Sequence, residues 1–304
     1  MAVVPHGANA RLTENLRRVS GVALALLTLA SFGILLSRTL ELNGDAWATL
    51  WPDMRIALGV THFGHVWLWR MPALAIAWMA WAWSVRKNNP RAAWIMLAAF
   101  AAIALTRSNT GHPADHGDFM LAVWLDWLHL LAAGTWVGSL FGMSLAVFPV
   151  LLRRSREDAA PAARIFQRLS TLCGVALAVL VACGVYNASH QLGSVDALWN
   201  TRYGMILDVK LALVLVMILI GAHNRYIKLP RLHAAGNTPS RQDGYRVIRS
   251  CARAVLVEGL LGLAVIGATA TLVHAMPPAD ARALSPSSMA AHADSPIVEG
   301  TARR

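Results

Sequence analysis

Charge is scarce in this chain. Only 14% of its 304 residues are Asp, Glu, Lys or Arg, and 56% are hydrophobic. An ordinary soluble domain carries about 25% charged residues. A chain of this length has residues enough for a large core, so small size does not explain the deficit. A water-soluble fold with a mean hydropathy of +0.48 would expose too much apolar surface to stay dispersed. This excludes a soluble enzyme and a disordered tail protein.

Cysteine is nearly absent as well. Cys173, Cys183 and Cys251 form no CxxC pair and no even-numbered framework, which excludes a disulfide-stapled module. Lying in or at the edge of apolar stretches, they read as small packing residues. No P-loop is present, so any transport is passive or coupled to a gradient. Acidic residues are the scarcer sign, 16 against 27 basic, for a net charge of +11. The basic residues lie in short runs between apolar stretches instead of on one patch, so no nucleic-acid partner is expected.

Long apolar runs are what the chain does have. A helix needs roughly 20 predominantly apolar residues to cross a bilayer. Seven such spans are expected, near Val19–Ser37, Gly64–Val85, Ala92–Thr106, Phe119–Phe148, Leu169–Tyr186, Gly204–Ala222 and Ala254–His274. The first follows Arg11, Arg17 and Arg18, but its apolar run is too long for a signal peptide and no cleavage site follows, so it reads as an anchor. The fold class expected is all-α, a polytopic transmembrane bundle of about 7–8 spans in contact with the lipid bilayer.

Lys and Arg cluster in alternate connections: Arg11, Arg17 and Arg18; Arg86, Lys87 and Arg91; Arg153 to Arg168; and Arg225 to Arg253. The positive-inside rule therefore places the N-terminus in the cytoplasm. Residues 1–18 form a cytoplasmic segment, 19–276 the transmembrane domain, and 277–304, rich in Ala, Ser and Pro, a flexible extracytoplasmic tail. The segment Asp45–Val60 holds Trp47, Trp51 and Ile56 but also Asp53 and Arg55, and is read as an amphipathic helix on the outer surface. As an eighth span it would put both termini on one side.

An internal repeat stands out. Thr61-His-Phe63-Gly64 followed by Arg70 matches Thr201-Arg-Tyr203-Gly204 followed by Lys210. Upstream, Gly21-Val-Ala-Leu-Ala matches Gly174-Val-Ala-Leu-Ala. Two spans and their connection are thus read as a duplication in parallel orientation, as in many membrane transport folds.

Polar residues inside spans cost free energy, so each is a functional candidate. They are Arg70, Asp126, His129, Asp208, Lys210, His223 and Glu258. Asp126 and His129 stand one helical turn apart on one face, an arrangement in which a carboxylate orients an imidazole. Arg70 and Lys210 are expected to pair with Asp126 or Asp208. Glu258 and His223 are placed toward the cytoplasmic end. The histidines favour the other end: His112 and His116 stand with Asp115 and Asp118 in one short segment, His62 and His65 are three apart, and His274 precedes Met276. Imidazole, carboxylate and thioether together suit copper, with Met favouring Cu(I) and His tolerating Cu(I) or Cu(II). The candidate metal ligands are His112, His116, His129, Asp126, His62, His65, His274 and Met276.

These residues also carry a likeness. Thr110-Gly-His112, the run Asp126-Trp-Leu-His129-Leu-Leu-Ala-Ala-Gly-Thr-Trp136-Val-Gly138, Thr201 to Lys210, Asn224-Arg225, and Glu258 through Pro278 follow one another in a known order. Over about 111–278 the sequence resembles the copper resistance protein D (CopD/PcoD) family. The resemblance implies an α-helical protein of the bacterial inner membrane, not an enzyme, that binds copper at its periplasmic face and passes it across the membrane, working with a periplasmic copper carrier. It also implies about eight spans. A distant similarity to proteins that hold haem through intramembrane histidines supplies the alternative: a b-type haem or quinone redox protein using His129.

Overall fold

Apolar runs that cannot leave backbone groups unpaired in hydrocarbon must form helices, and they do. The computed structural model describes residues 6–87, 89–111, 120–154, 160–192, 194, 196–236 and 241–273, and among these there is no strand. The elements are α1 (His6–Leu42), α2 (Leu50–Val60), α3 (His62–Lys87), α4 (Arg91–Ser108), α5 (Leu121–Gly142), α6 (Phe148–Arg154), α7 (Ala160–Leu192), α8 (Ala197–Asn200), α9 (Arg202–His223), α10 (Leu229–Gly236) and α11 (Arg241–Val273). A π-helical turn, Met143–Val147, joins α5 to α6, and another, Asn224–Lys228, joins α9 to α10.

Among the described residues, six stretches are long and apolar enough to cross a membrane: Ala10–Leu42, Arg91–Ser108, Leu121–Arg153, Ala162–Leu192, Arg202–Ala234 and Gly244–Leu272. They cover six of the seven expected spans. Their apolar side chains stay uncovered by protein, as lipid-facing residues should: Leu29 is 69% exposed, Trp94 73% and Leu219 60%. The seventh expectation, α3, is 26 residues long, about 39 Å at 1.5 Å per residue. It is less apolar than the six because it holds Arg70 and the indoles of Trp67, Trp69, Trp78, Trp81 and Trp83. Three of those indoles fasten α3 to α1. Trp67 Nε1 donates to Ser31 O at 3.0 Å, Trp78 Nε1 to Thr28 Oγ1 at 3.1 Å, and Trp81 Nε1 to Arg17 O at 3.0 Å. Between these bonds Leu24, Ala73, Leu74, Ala77, Ala99 and Ile103 pack α1, α3 and α4 together, small residues letting the helices approach.

The segment before α3 is helical but does not span. α2 has 11 residues, about 16 Å, against about 30 Å of hydrocarbon. Trp51 and Ile56 are exposed on it, and the Arg55 guanidinium lies 5.1 Å from the centre of the Trp51 ring. The chain enters α2 through a turn in which Gly44 takes φ +66°. There Asn43 Nδ2 donates to Ala46 O and to Asp53 Oδ2, each at 2.9 Å.

Two compact units divide the chain: Met1–Cys183 with Ile220–Gly259, and a second containing Gly184–Leu219 and the chain from Leu260. In the second, Leu192, Ala197, Tyr203, Leu207 and Leu272 form a core, and the Tyr203 hydroxyl donates to Gln191.

The repeat read from the sequence has a structural counterpart in each unit. Thr61 Oγ1 donates to Ala57 O at 2.5 Å and accepts from Gly64 N at 3.0 Å. Thr201 Oγ1 donates to Ala197 O at 2.6 Å and accepts from Gly204 N at 3.0 Å. Each threonine ends a short helix and starts a long one, satisfying an otherwise orphaned first-turn N–H. A Cβ on Gly64 would collide with Ala57 O, and one on Gly204 with Ala197 O and Leu198 O. The glycine is required because the helix start presses against the preceding backbone. The repeated motif therefore begins at the alanine: Ala57-Leu-x-x-Thr61-x-Phe63-Gly64 against Ala197-Leu-x-x-Thr201-x-Tyr203-Gly204.

Candidate metal site

The end of α4 ties two of the candidate residues, Asp126 and His62. The apolar run of α4 gives way to Thr106, Arg107, Ser108, Asn109 and Thr110, and Ser108 and Asn109 are buried. Buried polar groups need partners. Ser108 Oγ donates to Asp126 Oδ2 of α5 at 2.8 Å, and the Asn109 carbonyl lies 3.0 Å from His62 Nε2 of α3. Two candidate ligands on different helices are thus tied to adjacent residues of a third. α5 is held in register by Trp127 Nε1, which donates to Ala101 O at 2.8 Å, with Trp124 packed edge-on against Trp127 at 5.5 Å.

Asp126 and His129 share α5 as expected, both half-buried, and His129 Nδ1 is enclosed. His129 stands one turn deeper along the helix than Asp126. His65 is turned another way: its Nε2 lies 3.0 Å from Gly59 O of α2, and the ring is exposed. His112 and His116 follow Asn109 by three and seven residues and lie outside the described residues, as do His274, Met276 and the tail. Among the described residues no three His, Cys, Asp or Glu side chains converge.

Arg70 does not pair with Asp126. It is 2% exposed, its Nε donates to Thr106 Oγ1 at 2.8 Å, and its Nη2 has no partner among the described residues. Asp126 turns instead to Ser108, because the C-terminal turn of α4 offers both groups a nearer hydroxyl. Nothing in composition marked Thr106, Ser108 and Asn109 as participants. The one available signal was five polar residues in succession closing an apolar span.

The helix that carries Glu258 is longer than its expected span. α11 begins at Arg241 instead of near Ala254, because Arg246, Arg249 and Arg253 share an exposed face while Ile248, Cys251 and Val255 are buried. Glu258 lies within the stretch Gly244–Leu272, and Asn224 Nδ2 donates to its Oε2 at 3.3 Å. The neighbouring His223 is exposed.

Comparison with known proteins covers most of the chain. The copper resistance protein D-like N-terminal domain matches residues 1–120, and copper resistance protein D matches residues 163–272. The chain belongs to the copper resistance protein D family. The N-terminal match extends over α1 to α4, where motifs alone carried little. A copper resistance protein D of Pseudomonas syringae pv. tomato is 29% identical over 260 residues, 80% of each chain. The copper transport protein CutJ of Bacillus subtilis (strain 168) is 27% identical over 71% of this chain and 40% of its own. The inner membrane protein YebZ of Escherichia coli (strain K12) is 30% identical over 63% and 64%. No solved structure matches. This member of the copper resistance protein D family is an all-α, polytopic membrane protein.

Proposed function

We propose that this protein captures copper at the periplasmic face of the bacterial inner membrane and passes it across the bilayer, as a carrier and not as an enzyme. The observation that supports this most is the double tie at the end of α4. Ser108 holds Asp126 and Asn109 holds His62 at the root of the segment that carries His112 and His116. An ion met by His112 and His116 would find Asp126 next and His129 one turn deeper. His62, His65, His274 and Met276 supply further imidazole and thioether donors, a set suited to copper in either oxidation state. With the N-terminus cytoplasmic, this end of the bundle faces the periplasm, where a copper carrier protein would deliver its cargo.

Metal analysis of the purified protein after copper loading tests the reading. Stoichiometric copper in the wild type, lost in His112→Ala/His116→Ala, is the expected result. A Soret band without copper would overturn it in favour of a b-type haem protein.

A further inference from the structure

Glu258 sits where an apolar span would carry no charge. It is 4% exposed within the apolar stretch Gly244–Leu272, and it has no ion-pair partner among the described residues. The nearby cations are engaged elsewhere: exposed Arg225 donates Nη1 to Ser170 Oγ at 3.2 Å, and half-buried Lys228 donates Nζ to Ser250 O at 3.2 Å. What surrounds the carboxyl is neutral. Asn224 Nδ2 reaches Oε2, Trp136 of α5 approaches the same group, and a Cβ on Gly221 would stand 3.3 Å from Oε1. A titratable neighbour is Cys173 of α7, whose Sγ is 3.5 Å from Ser139 Oγ. A carboxylate so placed is costly unless it takes a proton or a cation.

Asn224 shows which. It is 4% exposed, and its Oδ1 is buried without a partner while its Nδ2 serves Glu258. An amide presents two donors on nitrogen and an acceptor on oxygen, exchanged by a half-turn of its end. In one orientation Nδ2 donates to the carboxylate. In the other, Oδ1 accepts the O–H of the carboxylic acid. One buried side chain thus satisfies both protonation states. It also opens the π-helical turn Asn224–Lys228, a break of a kind that recurs at functional sites.

We propose that Glu258 is a proton-binding site within the membrane, exchanging one proton as the Asn224 amide turns, and that this proton is the coupling ion for copper movement. The carboxylate takes one proton from water on one side to become the neutral acid and releases it to the other, with no electron transferred. The coupling rests on the copper reading above; the proton site does not.

Two measurements keep these apart. Infrared difference spectra of the full-length protein in lipid, between alkaline and acidic pH, should show a protonated carboxylic acid band. Glu258→Gln should lose the band, and Glu258→Asp should keep it at a shifted position. A Glu258→Gln spectrum identical to wild type overturns the proton site. In proteoliposomes, an imposed pH gradient should accelerate wild-type copper flux severalfold, and Glu258→Gln should lose that response while binding copper as before. An unchanged response in Glu258→Gln overturns the coupling. If the wild type moves no copper at all, the coupling fails with the transport reading, and the infrared arm still decides the proton site.

Discussion

Ser108 donates its hydroxyl hydrogen to Asp126 across 2.8 Å, joining the last residue of α4 to the second turn of α5. A carboxylate that accepts a bond from a fixed neighbour keeps one orientation, so the bond sets where its second oxygen points. Partners of this kind typically change metal affinity by about 10–100-fold when removed. Ser108→Ala should therefore weaken copper binding by about that factor, while Ser108→Thr, which keeps the hydroxyl, should stay close to wild type. Competition titration with a copper chelator reads the difference. Equal affinities in wild type and Ser108→Ala would remove Asp126 from the ligand set.

The paired glycines give a second test. Gly64 and Gly204 have no room for a Cβ, whereas Gly134 of α5 has nothing within 4 Å of that position. Overpacking of this kind costs about 1–3 kcal/mol, and the displaced atoms here are backbone. Gly64→Ala and Gly204→Ala should each lower the thermal midpoint in detergent. Gly134→Ala should raise it or leave it unchanged, since Ala is favoured over Gly in a helix interior by about 1 kcal/mol. Matching behaviour at Gly64 and Gly204 would show that both halves use the helix start in the same way.

The span pattern was legible because apolar length is a direct consequence of bilayer thickness, and six of the seven expected spans recur in the structure. The Thr–Gly helix start was legible in part, as an imperfect repeat; its third member, the alanine carbonyl, carries no side-chain signature. Pairings were the least legible. Charge counting suggested Arg70 with Asp126, but each found a hydroxyl on α4, because which helix faces show each other depends on packing and not on composition. The start of α11 was less legible too, because the arginines ahead of its apolar run lie on one exposed face and the helix extends back to Arg241.

Acid should loosen the turn between α1 and α2 before it affects the spans. Hydrogen bonds from Thr49 and Asn43 hold the Asp53 carboxyl below its ordinary value of 3.8. A depressed carboxyl contributes stability above the unfolded value and loses it as pH falls through the folded one. Hydrogen exchange of α2 amides should stay slow down to about pH 3.8 and rise below it. In Asp53→Asn, which cannot titrate, that acid-dependent rise should be absent. An identical profile in both proteins would rule Asp53 out as the group responsible.

Arg70 offers a test in which two changes do less harm than one. Its guanidinium is buried, and Thr106 supplies the hydrogen-bond acceptor for Nε. Thr106→Val removes the acceptor and leaves the charge, and stranding a buried donor costs about 1–3 kcal/mol, more when it is charged. Arg70→Met removes the charge and keeps much of the volume, a kind of change that is often neutral for buried ionic groups. The double variant Arg70→Met/Thr106→Val strands nothing. Thr106→Val alone should thus be the least stable of the three by denaturation in detergent, with a coupling energy of about 0.5–3 kcal/mol in the cycle. Strict additivity would mean that the Arg70–Thr106 bond contributes nothing. Copper flux of the double variant then separates a structural arginine from one needed for transport, since its fold is restored and only the charge is missing.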